Sequence, residues 1–205
     1  MRRVLPVAAA VIALGATPLP AAESVHDPAA AGHDHGAVSG AIVGTYSPAD
    51  LAFLTHMIVH HQQALDLCAL VDARTERPEF HRFARYLNDA QQAEIDQMKG
   101  LLQLASNRGA QLPDAHLHGD PPMAGMLSTA QMKAIAAARG AAFERLWLEG
   151  MILHHQGAID MALAQQEAQF RNRNQPYGLD TLVDEMLAVQ RGEIGKMKDW
   201  LDTWR

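Results

Sequence analysis

The chain repeats itself, and that repeat limits its fold more than any other feature. Met57-Ile58-Val59-His60-His61-Gln62-Gln63-Ala64-Leu65-Asp66 aligns with Met151-Ile152-Leu153-His154-His155-Gln156-Gly157-Ala158-Ile159-Asp160 at an offset of 94. A second block, Gln91-Gln92-Ala93-Glu94-Ile95-Asp96-Gln97-Met98-Lys99, aligns with Gln190-Arg191-Gly192-Glu193-Ile194-Gly195-Lys196-Met197-Lys198 at an offset of 99. Each copy reads as a helical hairpin, with M-I-x-H-H-Q on one arm and Q-x-x-E-I-x-x-M-K on the other. Two hairpins predict an all-α chain, most economically a four-helix bundle with pseudo-twofold symmetry. Composition agrees: aromatic residues make up only 5%, so the large rings that favour sheets are scarce.

Local signals place the arms. Ser47-Pro48-Ala49-Asp50 supplies an N-cap, a first-turn proline and an acid, predicting a helix from about 48 to 73. Pro78 opens a second helix running to about Ser106. Ser128 with Gln131 is a capping box for a third helical region, which Gly140 interrupts before it continues to about Gln169. A final helix runs from about 179 to the C-terminus. The expected organisation is a signal peptide over 1–22, a flexible leader over 23–46, a first hairpin over 47–106, a linker over 107–127 and a second hairpin over 128–205.

At about 100° per residue, Leu54, Met57, Ile58, His61, Leu65 and Cys68 share one face of the first helix. Thr55, Gln62 and Asp66 fall opposite, and His60 falls on the edge. On the other arm Glu94 and Met98 are one turn apart, with Gln91 one turn before them. Both buried seams therefore hold histidine, methionine and glutamate. Burying an imidazole and a carboxylate is costly unless they are paired or metal-bound. A His–Glu hydrogen bond with methionine as core filler is the structural alternative. The recurrence of all three residue types favours ligands: Met57, His60, His61, Glu94 and Met98 in the first copy, and Met151, His154, His155, Met161, Glu193 and Met197 in the second.

Thioether and imidazole together suit Cu(I), and then Ag(I). A catalytic zinc site uses His and carboxylate without Met. A di-iron site needs E-x-x-H on two helices, and E-x-x-H occurs only from Glu23 to His26 in the leader. Weaker metal candidates are His26, His33 and His35 in the leader, and His116, His118, Met123 and Met126 in the linker. His81 reads as a surface histidine and Cys68 as a small buried residue. No catalytic constellation is visible, so no enzyme is expected.

The N-terminus reads as an address. Arg2 and Arg3 precede the apolar stretch Val4–Ala16 and a small-residue exit, predicting cleavage near Ala21 or Ala22 and export to the periplasm. No other apolar run approaches membrane length. Seventeen basic against 23 acidic residues, with no basic run, argue against a nucleic-acid partner. One cysteine excludes an internal disulfide framework. Metal ions are the expected partners, and the oligomeric state is left open.

These blocks resemble the bacterial family known as domain of unknown function 305. Its hallmark is M-I-x-H-H-x-x-A-x-x-M-A followed by Q-x-x-E-I-x-x-M-x-x-W. The second half carries Met151-Ile152, His154-His155, Gly157-Ala158, Met161-Ala162, Gln190, Glu193-Ile194, Met197 and Trp200. Met123-Ala124-Gly125-Met126 is similar to the family's M-P-G-M lead-in, and Gly140, Phe143 and Trp147 fit the pattern before the His pair. The first half departs at Leu67-Cys68, where Met-Ala is usual, and at Leu101, where Trp is usual. The resemblance implies a ferritin-like fold. Some members, the CopM-type proteins, are similar to periplasmic copper binders with Met and His ligands, and many members have no assigned function. The expectation is an exported binder of a copper ion, Cu(I), with Ag(I) as a further cargo, for sequestration, buffering or delivery. The alternatives are a metal-dependent oxidase of Cu(I) and a stress-related interaction bundle without metal.

Overall fold

The Ser47 hydroxyl accepts a hydrogen bond from the Asp50 backbone N–H at 3.2 Å, and the Asp50 carboxylate accepts one from the Ser47 N–H at 2.7 Å. This reciprocal cap starts helix α1 (Pro48–Ala69). A computed structural model describes residues 45–113 and 123–204. The expected signal peptide and His26, His33, His35, His116 and His118 lie outside the described residues.

Every regular element in the described residues is helical. After α1 come a single tight turn (Val71–Ala73), α2 (Pro78–Asn107), α3 (Thr129–Ala137), α4 (Gly140–Asn172) and α5 (Leu179–Thr203). Proline opens α2, and a Ser128–Gln131 capping box opens α3. The break at Gly140 separates α3 from α4, because the chain is extended at Ala138 and Arg139. Helix α1 ends four residues earlier than its sequence suggests. The Arg74 carbonyl accepts from the Gly140 N–H at 2.7 Å, and the Ala73 carbonyl accepts from the Arg139 side chain at 2.6 Å. The chain beyond α1 tightens into the Val71–Ala73 turn, and the Ala73 and Arg74 carbonyls that follow it are satisfied by the start of α4.

Helix α1 packs against α2, α4 against α5, α1 across α4, and α3 on α4. Two buried acids fix the direction of the α1–α4 contact. Asp50, at the start of α1, accepts from Gln165 near the end of α4 and from Asn174 just beyond it. Glu144, at the start of α4, accepts from Thr75 and Arg77 just beyond α1. The two helices therefore run antiparallel. Between these ends the core is filled by Leu54, Met57, Leu67, Phe80, Leu87, Met98, Trp147, Met151, Met186 and Met197, all fully buried. The Trp147 indole N–H donates to the Leu67 carbonyl at 2.8 Å, which satisfies the only polar atom of that ring.

Three local expectations are revised. Thr55, placed opposite the apolar face, is buried and donates to the Leu51 carbonyl at 2.8 Å. His60, placed on the edge, is 0% exposed. A helix with two neighbours buries more than one stripe, and α1 touches both α2 and α4. Tyr46, placed in the flexible leader, is buried, and its hydroxyl donates to the Tyr177 carbonyl at 2.6 Å.

Candidate metal centre

The packing of α1 across α4 brings His60 and His61 of α1 and His154 and His155 of α4 to one place. All four are 0–1% exposed. The rings of His60 and His154 lie 3.8 Å apart between centroids, and each ring has its sequence neighbour about 6 Å away, at 6.3 Å for His61 and 6.1 Å for His155. The four imidazoles form a single cluster at the α1–α4 contact.

The outer pair faces the second arm of each helix pair. His61 Nε2 donates to Glu94 of α2 at 2.5 Å, and His155 Nε2 donates to Glu193 of α5 at 2.8 Å. The inner pair bonds to backbone. His154 Nε2 donates to the His60 carbonyl at 2.9 Å, and His60 Nε2 donates to the Ala124 carbonyl at 2.9 Å. A carbonyl only accepts, so Nε2 carries the hydrogen in both inner rings. Burial, and then the adjacent His61, push His60 down to about 4. Burial, and then His60, hold His154 well below the ordinary histidine value. Both inner rings are therefore neutral near pH 7, and each Nδ1 is a bare lone pair.

Those lone pairs are not used. Nδ1 of His60, His61, His154 and His155 is buried without a hydrogen-bond partner. The same holds for Gln91 Oε1, both amide atoms of Gln190, and Glu193 Oε1. An unsatisfied buried polar atom costs about 1–3 kcal/mol, so a folded chain rarely carries so many in one region. A neutral imidazole with a free lone pair is the state that binds a metal ion. Helical spacing sets Met57 one turn before His61, Met151 one turn before His155, Met98 one turn after Glu94 and Met197 one turn after Glu193, and all four are 0% exposed, while Met161 is half-buried.

The irregular segment 123–127 lies over the inner pair. Besides the Ala124–His60 bond, Gln63 donates to the Leu127 carbonyl at 3.0 Å and accepts from the Leu127 N–H at 2.7 Å. Gly125, at φ +76°, sits directly on Gly157 of α4, where an added Cβ on either residue would lie within 2.8 Å of backbone. Only glycine permits both that φ and that approach. Met123 and Met126 are half-buried in this strap.

Other candidates are placed apart. His81 gives Nδ1 to Asp72 at 2.7 Å and Nε2 to the Thr75 carbonyl at 2.7 Å, leaving no free nitrogen. Burial pushes the Cys68 thiol up to about 12, so it is an inert buried thiol. His56 is half-buried on α1. Among the described residues, no three His, Cys, Asp or Glu side chains are grouped closely enough to hold an ion by themselves. Sequence reasoning missed Met186, fully buried on α5. It lies four, seven and eleven residues before Gln190, Glu193 and Met197, so one helical stripe carries all four. Its counterpart at the offset of 99 is Leu87, so a search for repeated residues passes over it.

Solved structures give the context. A DUF305 protein of Streptomyces coelicolor is 31% identical, superposes with a TM-score of 0.64, and is matched over 91% of its length and 76% of this chain. A DUF305 fragment of Deinococcus radiodurans is 29% identical with a TM-score of 0.63, over 98% of its length and 77% of this chain. CopM in its Cu(I)-bound form is 27% identical with a TM-score of 0.59, over 99% of its length and 78% of this chain. CopM has also been solved in Ag-bound, Cu(II)-bound and apo forms. No curated protein matches the sequence. The profile of the family described as domain of unknown function (DUF305) matches residues 50–201, and the chain belongs to that family.

Proposed function

We propose that this protein is an exported, ferritin-like four-helix bundle of two repeated hairpins that binds Cu(I), and also Ag(I), for sequestration, buffering or delivery. One observation carries the reading: four buried imidazoles present unpartnered Nδ1 atoms on helices that also bury Met57 and Met151 one turn from His61 and His155. The donor chemistry fits a soft monovalent ion. Thioethers and neutral imidazoles bind Cu(I) and Ag(I) well and hard cations poorly. The lack of a His/Cys/carboxylate triad in the described residues means that an ion held here would need sulfur or amide donors. Copper and silver complexes of CopM, at 27–28% identity, support the same class of cargo.

The ligands proposed are Met57, His60, His61 and Met98 on one side and Met151, His154, His155, Met161 and Met197 on the other. Glu94 and Glu193 orient the outer imidazoles as hydrogen-bond acceptors, the role a carboxylate commonly takes behind a metal-bound histidine. His26, His33, His35, His116, His118, Met123 and Met126 collect further ions weakly. The N-terminal residues 1–22 direct export, and no described helix is long and apolar enough to cross a membrane. The protein carries its ion without turnover.

Anaerobic titration with Cu(I) against a competing chelator tests the reading, in the wild type and in His155→Leu with Met197→Leu. A loss of affinity of at least tenfold in the double variant is expected. Unchanged affinity, with only a shifted melting temperature, would make the seam structural.

A further inference from the structure

The histidine cluster is sealed, and its seal adjoins a groove lined by two thioethers. The four rings are 0–1% exposed, so no ion reaches them without movement. The strap at 123–127 is irregular backbone lying on the inner pair. Lifting it breaks the His60–Ala124 bond and the two Gln63–Leu127 bonds. Moving α1 or α4 would also disrupt the helix packing that buries Leu54, Met57, Trp147 and Met151. The strap is the cheaper element to move.

On the outer side of the strap runs a groove of about 520 Å³ along α1. Its lining includes Met126 of the strap, Met132 of α3, and Ile58, Val59 and Asp66 of α1. Met126 and Met132 come from different segments, and both are half-buried. Ile58 and Val59 give the groove an apolar floor, and Asp66 adds one negative charge. Gln62, Gln63 and Thr129 add oxygen donors to the lining, so selectivity for a soft cation over a hard, hydrated one comes from the two thioethers. We propose that Met126 and Met132 form an outer site for a soft monovalent cation, Cu(I) or Ag(I), from which the ion passes beneath the strap to His60 and His154. The outer site stands on the groove alone, whereas the passage inward rests on the function proposed above. Methionine as groove filler is the competing explanation, and leucine would fill the groove equally well.

The test is a titration of the full chain, labelled with ¹³C at the methionine ε-methyl groups, with Ag(I). Met→Leu variants assign the signals. Met126 and Met132 should shift together and saturate at the same Ag(I) concentration. In Met126→Leu with Met132→Leu the bound Ag(I), measured by elemental analysis, should fall by one ion. Shifts of Met126 and Met132 without any shift of Met57, Met98, Met151 or Met197 would support the outer site and overturn the buried one. Shifts of the buried methionines alone would overturn the outer site and leave the buried one standing. Saturation of Met126 and Met132 at different Ag(I) concentrations, or no loss of an ion in the double variant, would also overturn it.

Discussion

His154 donates its Nε2–H to the backbone carbonyl of His60 while the two rings face each other with centroids 3.8 Å apart. The reverse bond is not made: His60 donates to Ala124 of the strap. The two histidines occupy corresponding places in the sequence repeat, yet the strap gives them different partners. Both rings are kept neutral chiefly by burial, and their closeness adds to it, because two imidazolium ions this near in a dry site would repel strongly.

That neutrality sets the pH dependence of the metal-free protein. The His60 pKa is lowered to about 4 in the folded state from 6.5, and His154 is lowered as well. Between these values the unfolded chain binds more protons, so stability falls as pH falls. The loss should begin near pH 6.5, run to about pH 4, and reach about 3 kcal/mol from His60 alone. Urea midpoints measured from pH 7.5 to 4.5 check it. A flat profile would mean that the inner rings are not buried and neutral.

Removing the outer histidines should have unequal effects. Each leaves a carboxylate without its partner, at about 1–3 kcal/mol. The Glu193 side chain is 5% exposed and that of Glu94 is 16% exposed, so water can reach Glu94 more easily. His155→Leu should therefore destabilise the metal-free protein more than His61→Leu. Thermal melts of the two variants at pH 7.5 give the order directly.

Glycines in the same family of helices should respond in opposite directions. An added Cβ on Gly157 would lie 2.1 Å from the Ala124 carbonyl oxygen, and neither backbone can yield cheaply. Gly157→Ala should cost about 1–3 kcal/mol and speed amide exchange at Leu127 by displacing the strap. Gly192 and Gly195 are exposed on α5 with nothing within 4 Å of an added Cβ. Alanine at either should stabilise by about 0.5–1 kcal/mol through helix propensity. Chemical denaturation of the three variants separates the two cases.

The buried acids at the two ends of the α1–α4 contact should act independently. Asp50→Ala removes a helix cap and leaves Gln165 without its acceptor, while Asn174 keeps the Thr45 carbonyl. Glu144→Ala leaves Thr75 and Arg77 without theirs. Each should cost about 1–3 kcal/mol. With roughly 30 Å of helix between them, the double variant should lose the sum within about 0.5 kcal/mol. A clearly smaller loss would show that the two ends are coupled.

Much of this was written in the sequence. Helix starts at Ser47, Pro78 and Ser128 are local, because a cap or a first-turn proline acts within four residues. The i, i+4 spacing of Met57 with His61 and of Glu94 with Met98 places them on single helical faces whatever the rest of the chain does. The tertiary structure decided the rest. A helical wheel assumes one buried face, and so it put His60 on an edge. Contact with both α2 and α4, together with the strap across it, removes His60 from water entirely. Neither the 3.8 Å approach of His60 to His154 nor the Gly125–Gly157 contact is a local property. Both join residues from separate segments of the chain, and only packing brings them together.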